Sequence, residues 1–106
     1  MTTGQKNQLK GFDLIHKGKV RDIYRYKCNE ILIITSDRIS AFDFVFNDKI
    51  DGKGKILTSL TKYWFRQTKD IIKNHLIDER PNLENQLLDR AMVAHEAKVI
   101  PYEAVV

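Results

Sequence analysis

Apolar residues recur along this chain with two different rhythms. Up to about residue 46 they come in short runs or alternate, and between about 55 and 74 they recur at spacings of three, four and seven. Side chains repeat every two residues in a strand and every 3.6 in a helix, so the first rhythm predicts strands and the second a helix. Phe12 to His16 predicts a first strand, broken by Gly18. Val20 to Tyr26, with its β-branched and aromatic residues, predicts a second. Cys28-Asn29-Glu30 connects it to Ile31-Leu32-Ile33-Ile34-Thr35, an unbroken apolar run of strand length that suits a central strand buried on both faces. Ala41 to Phe46 follows, with Phe42, Phe44 and Phe46 alternating, and then a turn-rich loop from Asn47 to Gly54.

The helical pattern covers about residues 55–74, with Ile56, Leu57, Leu60, Trp64, Ile71 and Ile72 on its apolar stripe. Pro81 stops any continuation of that helix. Ala91 to Ile100 and Tyr102 to Val106 predict two more strands. Adjacent strands joined by short turns favour antiparallel pairing, so the fold class is α+β: a mostly antiparallel sheet with one main helix packed on a face. The chain closes inside an apolar, strand-like run, which leads us to expect a piece of a longer protein, with residues 1–11 as a flexible lead and 12–106 as one lobe.

Composition narrows the class. The 106 residues suit one domain, and 42% apolar with 30% charged residues is ordinary for a globular chain. No run approaches the roughly 20 apolar residues of a membrane helix. The polar start lacks the apolar core of a secretory signal, and a lone Cys28 cannot close an internal disulfide, so a cytoplasmic location is expected. Net charge is +4 and spread along the chain without a run of like charges, which fits small phosphorylated ligands at least as well as nucleic acid.

Familiar catalytic signatures are missing. The sequence has no P-loop, no Gly-x-Gly-x-x-Gly and no Gly-x-Ser-x-Gly, and His16, His75 and His95 have no metal-site spacing. Three subtler clusters remain. Gly18-Lys19-Val20-Arg21-Asp22 places a glycine and a point charge at a strand turn, where a backbone can approach a phosphate. Thr35 to Asp43 packs hydroxyls, two carboxylates and Arg38 between apolar runs. Gly52-Lys53-Gly54 precedes the helix, where backbone amides favour an anion. Each cluster alone is equally well read as ordinary turn chemistry.

In this order, Gly-Lys-Val-Arg-Asp-Ile-Tyr, Thr-Ser-Asp-Arg-Ile-Ser-Ala-Phe-Asp, Gly-Lys-Gly-Lys-Ile-Leu-Thr, Tyr-Trp-Phe and the tail Lys98 to Val106 closely resemble the N-terminal part of the SAICAR synthetase family. The likeness spans about residues 12–106; family members are considerably longer. It implies an N-terminal lobe like that of protein kinases, covering ATP from one side. It also implies ATP-dependent ligation of L-aspartate to CAIR, with Mg2+, in purine biosynthesis. On that template Gly18, Lys19, Val20 and Arg21 match the motif over the nucleotide, with Lys19 on phosphate and a less defined role for Asp22. Lys98, Val99 and Glu103 match the approach to the adenine hinge. Asp37, Arg38, Ser40, Lys53 and Gly54 match the face toward CAIR and the transferred phosphate. No residue of the chain is assigned as catalytic, and the metal carboxylates are expected beyond Val106. The resemblance implies small-molecule partners, neither nucleic acid nor membrane, and leaves a homo-oligomer open. A non-catalytic nucleotide-binding module is the alternative reading.

Overall fold

The computed structural model describes residues 11–42 and 44–105. All of the predicted lead except Gly11 lies outside the described residues, as do Asp43 and Val106. Strand β1 (Leu14–Lys17) turns through Gly18–Val20 into β2 (Arg21–Arg25), and β2 turns into β3 (Glu30–Thr35). Asn29 sits in the left-handed region (φ 61°) of that second turn, a conformation asparagine tolerates better than most residues. A separate hairpin follows, β4 (Arg38–Ala41) with β5 (Phe44–Lys49). Helix α1 (Lys53–Gln67), strand β6 (Leu76–Ile77), the short helix α2 (Asn85–Leu88) and strand β7 (Ala91–His95) complete the order.

The main sheet runs β1-β2-β3-β7-β6, with every pairing antiparallel. The fold class is therefore α+β, as the strand pattern predicts. Register explains the core. Tyr24 lies opposite Leu32, Leu32 opposite Val93, and Ile34 opposite Ala91. These five residues share one face and form the buried cluster, against which Phe12, Leu14, Tyr26, Ile77, Leu83 and Leu87 pack. Met92 and Ala94 alternate with them and are buried on the opposite face. Ile31-Leu32-Ile33-Ile34 is indeed the central strand, although Ile31 and Ile33 are only half-buried, so one of its faces is partly open.

Four expectations need correction. The helix covers Lys53–Gln67 and not 55–74. The Thr68 backbone N–H closes the last regular turn on the Trp64 carbonyl, which the Thr68 hydroxyl also reaches. Beyond it the Phe65 carbonyl accepts from the Asn74 side-chain amide, a bond that satisfies a carbonyl a continuing helix would use, and Ile71 and Ile72 are left exposed beyond the end. Second, the Ala91–Ile100 strand ends at His95, because the sheet offers partners only to there: β3 begins at Glu30, opposite His95. Third, residues 101–105 form no strand, and Tyr102 and Val105 are exposed. Fourth, Phe42, Phe44 and Phe46 do not share one strand face. Phe42 sits at the β4–β5 turn with φ 52°, fully exposed, and Phe44 and Phe46 lie on β5 with rings 5.4 Å apart. The loop predicted over Asn47 to Gly54 accordingly starts later, since β5 runs through Lys49.

Candidate functional site

The three sequence clusters meet at one end of the main sheet. Ser36, just past β3, makes the first link. Its backbone N–H and its hydroxyl both donate to the Val20 carbonyl, at 2.8 Å each. The same hydroxyl accepts from the Arg38 backbone N–H (3.2 Å) and from Arg38 Nε (2.9 Å). One donor and two acceptor sites are all a hydroxyl has, so Ser36 is fully used. Arg38 then extends Nη2 to Asp22 Oδ1 at 3.0 Å. The two side chains are only 17% and 13% exposed, so a partly desolvated ion pair ties the β2 start to β4. Such a pair costs desolvation, and removing one partner strands the other charge.

Asp37 makes the second link. Its carboxylate accepts from the backbone N–H of Gly54 at 2.7 Å and of Gly52 at 3.3 Å. The amides at the start of α1 thus have an anion already, supplied by the chain itself. Gly52 has φ 84°, which favours glycine. Gly54 is required for a different reason. A Cβ there would lie 2.5 Å from the Thr35 carbonyl oxygen and 2.9 Å from Arg90 Cδ. Arg90 closes the corner, with Nη1 donating to the Thr35 carbonyl at 3.0 Å.

Beside this junction lies a cleft of about 620 Å³. Asp22, Tyr24 and Ile34 of the sheet, Ser36 to Arg38, Lys49, Gly52, Lys55, and Glu84, Gln86, Leu87, Asp89 and Arg90 contribute to its walls. Its lining mixes both signs of charge, and much of that charge is engaged: Arg38 with Asp22, Lys55 with Asp89 at 3.8 Å, and Asp37 with the helix amides.

The predicted site residues fall into three groups. Val20, Asp22, Asp37, Arg38 and Gly54 are brought together at the junction, with Gly18, Lys19 and Arg21 flanking it on the adjoining turn and strand start. Gly18 has its own local reason, since its N–H donates to the Arg21 carbonyl at 2.7 Å and a Cβ would sit 2.8 Å from that oxygen. Lys53 and Ser40 stand near, on the first turn of α1 and on β4, both half-buried. Lys98, Val99 and Glu103 are not gathered with the rest; they lie on the exposed segment after β7 and contribute nothing to the cleft. Sequence reasoning missed Ser36 as the connecting group, although it stands inside the quoted cluster. It also missed Arg90, whose position before a strand carries no local signal.

The fold and the junction together define an α+β unit in which three sequence-distant turns meet beside a cleft of mixed polarity. The chain belongs to the SAICAR synthetase family, whose model matches residues 14–106. Among similar proteins is the phosphoribosylaminoimidazole-succinocarboxamide synthase of Nitrosomonas europaea, 41% identical over 95% of this chain and 36% of its own length. The enzyme of the same name from Saccharomyces cerevisiae is 35% identical over 95% of this chain and 38% of its own length. A solved SAICAR-synthase from Saccharomyces cerevisiae, complexed with SAICAR, superposes with a TM-score of 0.77 at 34% identity, covering 89% of this chain and 37% of that one. The chain thus spans little more than a third of the relatives it matches. Among the described residues, no helix is long and apolar enough to cross a membrane.

Proposed function

We propose that this chain is the N-terminal, nucleotide-covering lobe (residues 12–106) of a cytoplasmic ATP-dependent ligase joining L-aspartate to CAIR to give SAICAR, ADP and phosphate. The observation that carries the reading is the convergence of the Gly18, Ser36 and Gly52 turns on one junction, in a chain of this family. In the proposed reaction a carboxylate oxygen of CAIR attacks the γ-phosphorus of ATP and ADP leaves. The aspartate amine then attacks the acyl phosphate, loses a proton and expels phosphate. The lobe contributes charge and water exclusion. The Lys19 ammonium and the Arg21 guanidinium, at the turn beside the junction, balance phosphate charge. Lys98, Val99 and Glu103 offer backbone groups toward adenine. Arg38, Lys53 and Ser40 face the anionic substrate, whereas Asp37 and Gly54 hold the helix start in place.

Mg2+ would accompany ATP and spread the charge of the transferred group. Among the described residues, no group of three His, Cys, Asp or Glu could hold a metal ion. Asp22 and Asp37 are also engaged. The test is a full-length assay with ATP, Mg2+, CAIR and L-aspartate, reading SAICAR and ADP together. Equal amounts of both are expected. ATP binding without either product would replace the ligase with the non-catalytic nucleotide module.

A further inference from the structure

Helix α1 faces the wrong way for a helix completed by its own sheet. Its buried residues are Gly54 and Thr58, with Leu57, Thr61, Lys62 and Phe65 half-buried. Ile56, Leu60, Tyr63 and Trp64 are 59%, 49%, 50% and 57% exposed. At about 100° per residue these four fall within one stripe, on the opposite side of the helix from Gly54, Thr58 and Phe65. The side that meets the sheet is thus mostly small or polar, with Phe65 its large apolar member, while Ile56, Leu60, Tyr63 and Trp64 meet solvent. The polar flank is already engaged, through Lys55 with Asp89 and Arg66 with Asp78. Burial and the neighbouring Arg66 also push the Lys62 ammonium below the usual lysine range on that flank. Among the described residues nothing covers the apolar stripe.

We infer that this stripe is the seat on which the remaining part of the full-length protein packs, an inference that rests on the reading of the chain as one lobe of a longer enzyme. Two observations favour that occupant over a second copy. The relatives carry nearly two thirds of their length outside the matched region, so a covalently linked partner surface is at hand. A tethered surface docks at an effective concentration in the millimolar range without a full association cost. The stripe is also small. Half-exposed side chains of this size offer roughly 100 Å² each, so four supply about 400 Å², and a stable pair of separate chains needs about 800 Å² per partner. Its make-up, two aromatics in T-shaped contact at 5.0 Å beside two aliphatics, suits the centre of a dry interface.

The test reads accessibility in the unmodified full-length protein, without substrates. Hydroxyl-radical footprinting with mass spectrometry should show Trp64 and Tyr63 protected at least fivefold relative to the same residues after unfolding, at every protein concentration. In a Cys28→Ser background, Leu60→Cys should react with a thiol reagent at least tenfold more slowly than Ser59→Cys on the neighbouring side. Reactivity of Trp64 and Tyr63 close to that of the unfolded protein would overturn the inference. So would protection that appears only as concentration rises and tracks dimer formation by sedimentation, because the occupant would then be a second copy. Neither readout depends on turnover. A protein that makes no SAICAR but protects Trp64 would fail the ligase reading and keep this one.

Discussion

Single atoms decide several positions in this chain, and Gly54 is the sharpest case. Helix propensity alone says that Gly→Ala inside a helix gains about 1 kcal/mol. Here the added methyl would meet the Thr35 carbonyl oxygen at 2.5 Å and Arg90 Cδ at 2.9 Å. The arginine can shift, but the backbone oxygen cannot without moving β3. Overpacking of this kind costs about 1–3 kcal/mol, so Gly54→Ala is expected to lower the melting temperature. A rise would show that the α1–β3 contact is looser than described. Lys19 makes the corresponding functional case. It is exposed on the β1–β2 turn, so Lys19→Ala in the full-length protein should leave the melting temperature nearly unchanged. Loss of a charge-assisted phosphate contact of about 1.5–3 kcal/mol predicts a 10–100-fold fall in kcat/KM for ATP. Unchanged constants would make Lys19 an ordinary turn residue. At this scale the sequence was informative about which residues cluster but not about what they touch. Asp37 read as a ligand-facing carboxylate, and it is a cap on the chain's own helix. That role depends on a bond bridging residues 37 and 54, which no local pattern reveals.

Between elements, hydrogen bonds and ion pairs fix what hydrophobic pattern leaves loose. The segment after β6 is tied to the β2–β3 turn by Glu79, which accepts from the Tyr26 hydroxyl at 2.5 Å and from Lys27 Nζ at 3.0 Å. The Tyr26 hydroxyl first, and Lys27 next, hold the Glu79 carboxyl below its ordinary value of 4.5. A carboxyl depressed in the folded state adds stability above its unfolded value, and that stability drains away as pH falls through the folded value. The Glu79 share of stability should therefore be complete at neutral pH and decline below about pH 4.5. Glu79→Gln should lower the melting temperature at pH 7 and narrow its gap to the unaltered protein as pH drops toward 3. A gap that stays constant with pH would assign the effect to packing instead of charge. Element identity was mostly legible, because Ile31 to Ile34 and Val20 to Tyr26 announce strands by composition. Element ends were not. The end of α1 is marked by the Asn74 side chain taking the Phe65 carbonyl, and the end of β7 by the lack of partners beyond Glu30. The sense of α1 was also illegible: its periodicity marks an apolar stripe but cannot say whether the sheet or another surface takes it.

For the molecule as a whole, the proposed reading as one lobe of a longer enzyme bears on what the chain does alone. Sixteen large apolar side chains among the described residues are exposed, including the α1 stripe, Phe42 and Phe44 on the hairpin, and Val99, Ile100 and Tyr102 after β7. Scattered apolar exposure is normal in a folded protein, whereas exposure concentrated on a helix side, a hairpin and a terminal segment marks surfaces made to be covered. The chemistry points the same way. The acyl phosphate of the proposed reaction survives only where water is excluded, and the cleft beside Arg38 is open to solvent. The 106-residue chain by itself is therefore expected to form no SAICAR above background from ATP, Mg2+, CAIR and L-aspartate. Its exposed surfaces should bind a hydrophobic dye more strongly, per molecule, than the full-length protein does. The comparison is decisive if both proteins are assayed at equal molar concentration with folding checked by circular dichroism. Turnover by the folded chain alone at even a thousandth of the full-length rate would mean that these residues carry the reacting centre, and the division of labour between lobes proposed above would have to be abandoned.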